Sequence, residues 1–193
     1  MYEYIRGKIT ETAPAYVIIE NGDIGYFIQI SLNTYSKLEN KENAQLYVHQ
    51  IVREDAHLLF GFAEKTEREI FRLLISVSGI GANTARIMLS SLSPGEIKSA
   101  IRTDDINLLK SIKGIGAKTA QRVIIDLKDK VDKTEIDDSH FVSTDQSVLN
   151  EALSALVMLG FTKAPAEKAL KKIQQSVKDI SVEELVKKAL KML

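Results

Sequence analysis

The sequence predicts a multidomain α+β chain: a small β-barrel, then an all-helical region, then a three-helix bundle. Three observations carry that expectation. Short β-type runs divided by turn residues fill positions 1–62. The apolar period becomes that of a helix after Gly61, and a polar, acidic stretch at 134–147 sets off positions 148–193. With 193 residues and 45% hydrophobic content the chain has the composition of a folded protein with room for several small modules in series.

The strand runs are "YEYIRGKIT", "AYVIIE", "GYFIQI", "AQLYVHQIV" and "HLLFGF", with Asn21, Gly22 and Asp23 as a hairpin turn between the second and third. Strands this short and evenly spaced predict a closed barrel of the oligonucleotide/oligosaccharide-binding (OB) type, a pattern that an SH3-like barrel shares. In "EKTEREIFRLLISV" the residues Ile70, Leu73, Leu74 and Val77 share one helical face, and positions 63–133 continue as helix. The clearest stripe is Ala120, Val123, Ile124, Leu127 and Val131, which turns Lys118 and Arg122 outward together. Positions 134–147, "TEIDDSHFVSTDQS", have no usable periodicity and are expected to be a flexible linker. The closing segment reads as three short helices, the last opened by a capping box of Ser181 and Glu184. A bundle so small is expected to bury leftover apolar surface on another protein.

Inside the helical region one phrase occurs twice. "SGIGANTARIML" begins at Ser78 and "KGIGAKTAQRVI" at Lys113, so Gly79, Ile80, Gly81, Ala82, Thr84 and Ala85 recur as Gly114, Ile115, Gly116, Ala117, Thr119 and Ala120. A helix start leaves unpaired amides and a partly positive end where anions settle. Glycines there permit positive φ and close approach of another molecule, while Ile80 and Ile115 fold inward and Ala85 and Ala120 let two helices pack closely. Each copy thus has the makings of one phosphate seat, and a pair of seats could hold two phosphates of one duplex without reading its sequence. Lys118 and Arg122 add charge to the second seat; the first has Asn83 and Thr84, with Arg86 as its nearest cation. An ATPase phosphate loop would need glycine directly before the lysine, where Ala117 stands, and a dinucleotide fingerprint would need a preceding strand.

Charge points the same way. Lys plus Arg and Asp plus Glu number 26 each, but the balance is 5 basic to 8 acidic in 1–62, 12 to 8 in 63–131 and 9 to 10 in 132–193. The positive excess lies with the repeat. The absence of cysteine excludes disulfides, thiolate metal sites and cysteine nucleophiles, and suits a reducing compartment. Met1 to Ile9 shows no leader pattern and no apolar run nears the roughly 18 residues of a membrane span, so a cytoplasmic chain without membrane contact is expected.

The two glycine phrases resemble the paired helix-hairpin-helix motifs of the RuvA family, Holliday-junction-binding subunits of the bacterial branch-migration machine. "IVREDAHLLFGF", from Ile51 to Phe62, is similar to that family's barrel-end hairpin, and "LVMLGF", from Leu156 to Phe161, to its third domain. The resemblance covers essentially the whole chain. It implies a non-catalytic homotetramer, without cofactor or metal, that presents a positive face to an open four-way DNA junction in recombination, repair and the SOS response to DNA damage. It implies DNA contacts at Gly79, Ile80, Gly81, Asn83, Thr84 and Arg86, and at Gly114, Ile115, Gly116, Lys118, Thr119 and Arg122. Glu54 and Asp55 match the family's acidic pin, whose carboxylates repel phosphate and keep exchanging strands apart. The third domain, similar to ubiquitin-associated modules, would dock the hexameric AAA+ ATPase motor RuvB, with Leu156, Leu159, Phe161 and Leu190 as candidate contacts. The resolvase RuvC is a further partner the resemblance allows. One departure stands out: the family usually has lysine where this chain has Asn83, so the first seat is expected to bind more weakly.

Two other classes fit parts of the sequence. A helix-hairpin-helix glycosylase or structure-selective nuclease would need a catalytic Asp such as Asp126 or clustered carboxylates. The pairs Asp104/Asp105 and Asp137/Asp138 are adjacent and so diverge, and His49, His57 and His140 lack metal-ligand spacing. A protein-only scaffold leaves the duplication and the regional charge unexplained.

Overall fold

The computed structural model describes residues 2–131, 144–176, 180–190 and 192–193. They fall into two units, Met1–Ile136 and Asp137–Leu193.

The first unit opens with a closed barrel of β1 (Tyr4–Ala13), β2 (Tyr16–Asn21), β3 (Ile24–Ile30), β4 (Asn43–Val52) and β5 (His57–Phe62), in the order β1-β2-β3-β5-β4 with β1 also paired to β4. All pairings are antiparallel except β3 with β5. That order makes it an OB-type barrel rather than an SH3-like one. Alternation places Ile5, Val17, Ile19, Ile28, Ile30, Leu46 and Val48 inside. The β2–β3 hairpin turns on Gly22 and Asp23 with φ of +57° and +64°, the type I′ geometry that suits a two-residue loop.

A helix absent from the sequence expectations, α1 (Leu32–Leu38), joins β3 to β4. Ser31 caps it by accepting from the Thr34 amide at 3.0 Å. At barely two turns it is too short to display an apolar period, so only its cap could have betrayed it.

β5 is buried on both faces toward its end because Phe60 and Phe62, paired in the barrel wall, turn their rings outward onto Phe71 of α2 (Lys65–Ile75), with centroids 5.1 and 4.9 Å away. The helical region is therefore built onto the barrel and shares a core with it. It continues through α3 (Ala82–Ser91), α4 (Pro94–Arg102), α5 (Ile106–Lys110) and α6 (Ala117–Val131). The α4 start carries a full capping box of Ser93 and Glu96. The stripe read along α6 is the buried one.

The second unit packs α7 (Thr144–Met158), α8 (Lys163–Ser176) and α9 (Val182–Leu190) around Ala152, Leu156, Ala166, Leu170, Leu185 and Ala189. Ser181 Oγ accepts from the Glu184 amide at 3.3 Å, one half of the expected capping box. Of the segment expected to be a linker, 134–143 lies outside the described residues, and 144–147 belongs to α7. That correction has a simple cause: a first helical turn is held by backbone bonds, so its polar residues need show no apolar period. None of the described helices is long and apolar enough to cross a membrane.

Candidate nucleic-acid interface

The two glycine phrases fold into the same object twice. In the first, the Ser76 amide and hydroxyl both donate to the Leu73 carbonyl, at 3.1 and 2.7 Å. Val77 then bonds back to Leu74 at 3.1 Å, Ile80 to Val77 at 3.0 Å and Ala85 to Gly81 at 2.9 Å. Thirty-five positions on, Ser111 donates twice to Leu108 at 3.2 and 2.7 Å. Ile112 bonds to Leu109 at 3.3 Å, Ile115 to Ile112 at 3.1 Å and Ala120 to Gly116 at 2.9 Å. The repeat thus begins at Leu73 and Leu108, earlier than the glycines; the paired serines and the apolar Val77 and Ile112 were visible in the sequence as its extension.

Within each turn the roles divide by residue type. Gly79 and Gly114 hold φ of +95° and +93°, a conformation costly for side chains with Cβ, and a Cβ on any of Gly79, Gly81, Gly114 or Gly116 would meet open space. Glycine is thus required at the first position of each turn by backbone conformation, and at the second it leaves the approach clear. Ile80 and Ile115 point the other way, into the core, where each contributes about 1.5–3 kcal/mol by burial. Ala85 and Ala120 are also buried. Gly81 caps α3 without a side-chain bond, so the amides at Ala82, Asn83 and Thr84 have no partner in the helix; α6 opens on Ala117 after Gly116 in the same manner. Two helix starts with free donors, lacking any acidic residue in the first turn, stand at the ends of twin turns.

The charged residues divide unevenly. Lys118 and Arg122 are exposed on α6, and Lys113 is exposed just before Gly114. Arg122 also spans the two motifs: its Nη1 donates to the Ser78 carbonyl at 3.3 Å. At the first seat Asn83 is exposed and Thr84, like Thr119, is half-buried. Arg86, expected as this seat's cation, is turned to the barrel: its Nη1 donates to the Ala15 carbonyl at 2.8 Å, and burial lowers its pKa. Being on the side of α3 that faces the β1–β2 loop, it leaves the first seat without a cation from its own helix, so that Arg122 of α6 is the cation that reaches its turn.

Glu54 and Asp55 occupy the tip of the β4–β5 hairpin, closed beneath them by the Arg53 amide donating to the Ala56 carbonyl at 2.8 Å, and both are exposed. Asp104 forms an ion pair with Lys128, and Asp105 caps α5 by accepting from the Leu108 amide at 2.9 Å, which gives that acidic pair structural work. Asp126 is exposed. Among the described residues no three His, Cys, Asp or Glu side chains gather as a metal site requires.

In the second unit two of the four expected docking residues take part in the fold: Leu156, whose full burial removes it from the surface, and Phe161, which keeps part of its surface. The Gly160 amide donates to Val157 at 3.0 Å and the Phe161 amide to Leu156 at 3.1 Å, with Gly160 at φ +97°, which is a Schellman stop. Such a stop brings the residue after the glycine against the one five positions earlier. Leu156 is accordingly fully buried and Phe161 packs half-buried on the core. Leu159 and Leu190 are exposed, as are Val157, Met158, Met192 and Leu193. Met158, at 89% exposure, is the strongest of these, and the glycine stop after a helix was the clue that fixes which leucines turn in.

Known proteins resemble this chain along its whole length. Residues 1–61 match the family model "RuvA N terminal domain", 71–129 the "SAM-like Helix-hairpin-helix tandem" and 147–193 "RuvA, C-terminal domain". The chain is 52% identical to a protein of Christiangramia forsetii over the full length of both. It is 50% identical to proteins of Bacteroides fragilis and Flavobacterium psychrophilum, again with all of each chain covered. All three relatives are named as the Holliday junction branch migration complex subunit RuvA.

Proposed function

The chain belongs to the RuvA family, and on that premise we propose that it is a non-catalytic subunit that binds four-way DNA junctions by shape, holds them open and square, and recruits the ATPase motor RuvB for branch migration. The observation that carries this reading is the duplicated turn: two open helix starts of the same geometry, on one shared hydrophobic core, suited to two phosphates of one duplex arm. Backbone donors cannot read base sequence, so selectivity has to come from the arrangement of arms.

The acidic tip supplies the complementary element. In a homotetramer, four copies of Glu54 and Asp55 would meet near the centre of the junction, where their carboxylates disfavour continuous duplex and leave room for separated strands. Attraction at the turns and repulsion at the tips together select an open junction over a straight helix. The exposed apolar group at the ends of α7 and α9, with Met158, Leu159 and Leu190, is the surface suited to the motor. No step in this activity needs a catalytic side chain; the chemistry belongs to the ATPase partner.

The test is a comparison of affinity for a synthetic four-way junction and a linear duplex of the same sequence, without nucleotide. Preference for the junction is expected. Equal affinities, or cleavage of labelled junction or damaged duplex in magnesium, would overturn the reading.

A further inference from the structure

The joint between barrel and helices has a polar centre. Glu67, in the first turn of α2, is 1% exposed, and both of its carboxylate oxygens accept hydrogen bonds: Oε1 from the Ser31 hydroxyl and Oε2 from the Thr34 hydroxyl at 2.7 Å. Each hydroxyl is in turn an acceptor. Ser31 Oγ takes the Thr34 amide at 3.0 Å, and Thr34 Oγ1 takes the Ala63 amide at 3.0 Å. A backbone N–H only donates and an ionised carboxylate only accepts, so every bond runs in one direction, from amides through hydroxyls to Glu67.

Three elements end at this carboxylate. They are the start of α1, the start of α2 and the exit of β5 at Ala63. The far end of β5 adjoins the acidic tip at Glu54 and Asp55, and the far end of α2 runs into the first glycine turn. Resting on the functional reading above, we infer that Glu67 is a positioning residue for junction recognition, fixing the strand that carries the acidic tip relative to the helix that carries the first phosphate seat. An apolar joint of similar volume can shift among packings of similar energy, whereas a one-way polar network has a single arrangement that satisfies every member. The neighbouring bonds agree with a fixed joint: Asn33 Nδ2 donates to the carbonyls of Leu89 and Leu92, and Arg68 donates to Glu3 Oε1 and to its carbonyl, at 2.6 and 2.8 Å. Burial raises the Glu67 pKa, while the two hydroxyls and Lys37 act against that and Glu64 adds to it. A carboxylate buried in this joint therefore carries a cost that an apolar residue would avoid.

A linear duplex needs the seats alone; an open junction needs seats and tip in register. Loosening Glu67 should thus reduce preference for the junction and leave duplex affinity in place. The full chain has no cysteine, so V52C and S78C, both at exposed positions, can carry spin labels that report the distance between the tip hairpin and the first turn, in samples diluted with unlabelled chain. Expected is one narrow distance in the parent, broadened by E67A and by T34V. Both variants should bind the junction about three- to tenfold more weakly, with duplex affinity within about twofold. An unchanged distance distribution, or equal loss toward junction and duplex, would overturn the inference. Should E67A not fold, T34V decides, because it keeps the carboxylate while removing its Thr34 donor and with it the acceptor of the Ala63 amide. Equal parent affinity for both DNAs would refute the functional reading, and the label distances would still settle the joint.

Discussion

Arg122 Nη1 lies 3.3 Å from the Ser78 carbonyl oxygen, so a cation on the helix of the second hairpin closes on the turn of the first. The two seats are thereby tied to each other through a residue that also faces solvent. Substituting Arg122 by Gln removes a charge and this tie together, and Lys118→Gln removes a charge alone. Each should lower the slope of log affinity against log salt by about 0.9 for every DNA phosphate that is no longer neutralised. Arg122→Gln should in addition cost more affinity than Lys118→Gln at low salt. Fluorescence anisotropy titrations at several salt concentrations check both, and identical behaviour of the two variants would deny Arg122 its bridging part.

The first seat has neither a lysine at Asn83 nor the side chain of Arg86, which donates to Ala15 instead. Asn83→Lys should therefore strengthen junction binding and steepen the salt slope by about 0.9, the increment of one neutralised phosphate. A slope equal to the parent's would mean that Asn83 faces away from bound DNA.

In the second unit, the residues that hold the fold differ from those proposed for docking. Leu156→Ala empties a fully buried site beneath the Schellman stop and should cost that unit about 2–5 kcal/mol, read by urea unfolding. Met158→Ser should leave unfolding unchanged within about 0.5 kcal/mol, as surface substitutions do. It should nonetheless weaken capture of the motor, measured by co-sedimentation with purified RuvB. A motor interaction indifferent to Met158 would place the docking surface elsewhere.

His49 gives the barrel a pH response. Burial, then the charges of Arg72 and Arg68, lower its pKa from the ordinary 6.5, with Glu69 opposing. Its ring lies edge-on to Phe71 with centroids 5.6 Å apart. The folded state thus prefers the neutral ring. Above 6.5 this costs nothing; as pH falls below it the unfolded chain takes the proton first and folding stability drops. Against His49→Phe, the parent should lose stability on acidification from neutral pH to about 5.5, by thermal unfolding. A constant difference between the two would contradict the assignment.

How legible all this was depended on length and repetition. The strands of the barrel and the stripe of α6 announce themselves because alternation and the 3.6-residue period extend over several residues. The twin turns were legible because they occur twice. What stayed hidden was set by distant partners: α1 is too short for a period, Arg86 looked like a free cation until the Ala15 carbonyl was placed beside it, and Glu67 has nothing in its neighbourhood of sequence to foretell Ser31 and Thr34. Leu156 and Leu159 differ by one helical turn's position, and only the geometry of the stop at Gly160 tells the buried from the exposed.

In the proposed function, main-chain amides at the two glycine turns receive DNA phosphate. Hydrogen exchange by mass spectrometry, with and without a synthetic four-way junction, tests it most directly. Slower exchange in the bound state is predicted for peptides covering 79–84 and 114–119, with α4 little changed. Unaltered exchange at both turns in a complex known to have formed would mean that DNA is held elsewhere on the protein.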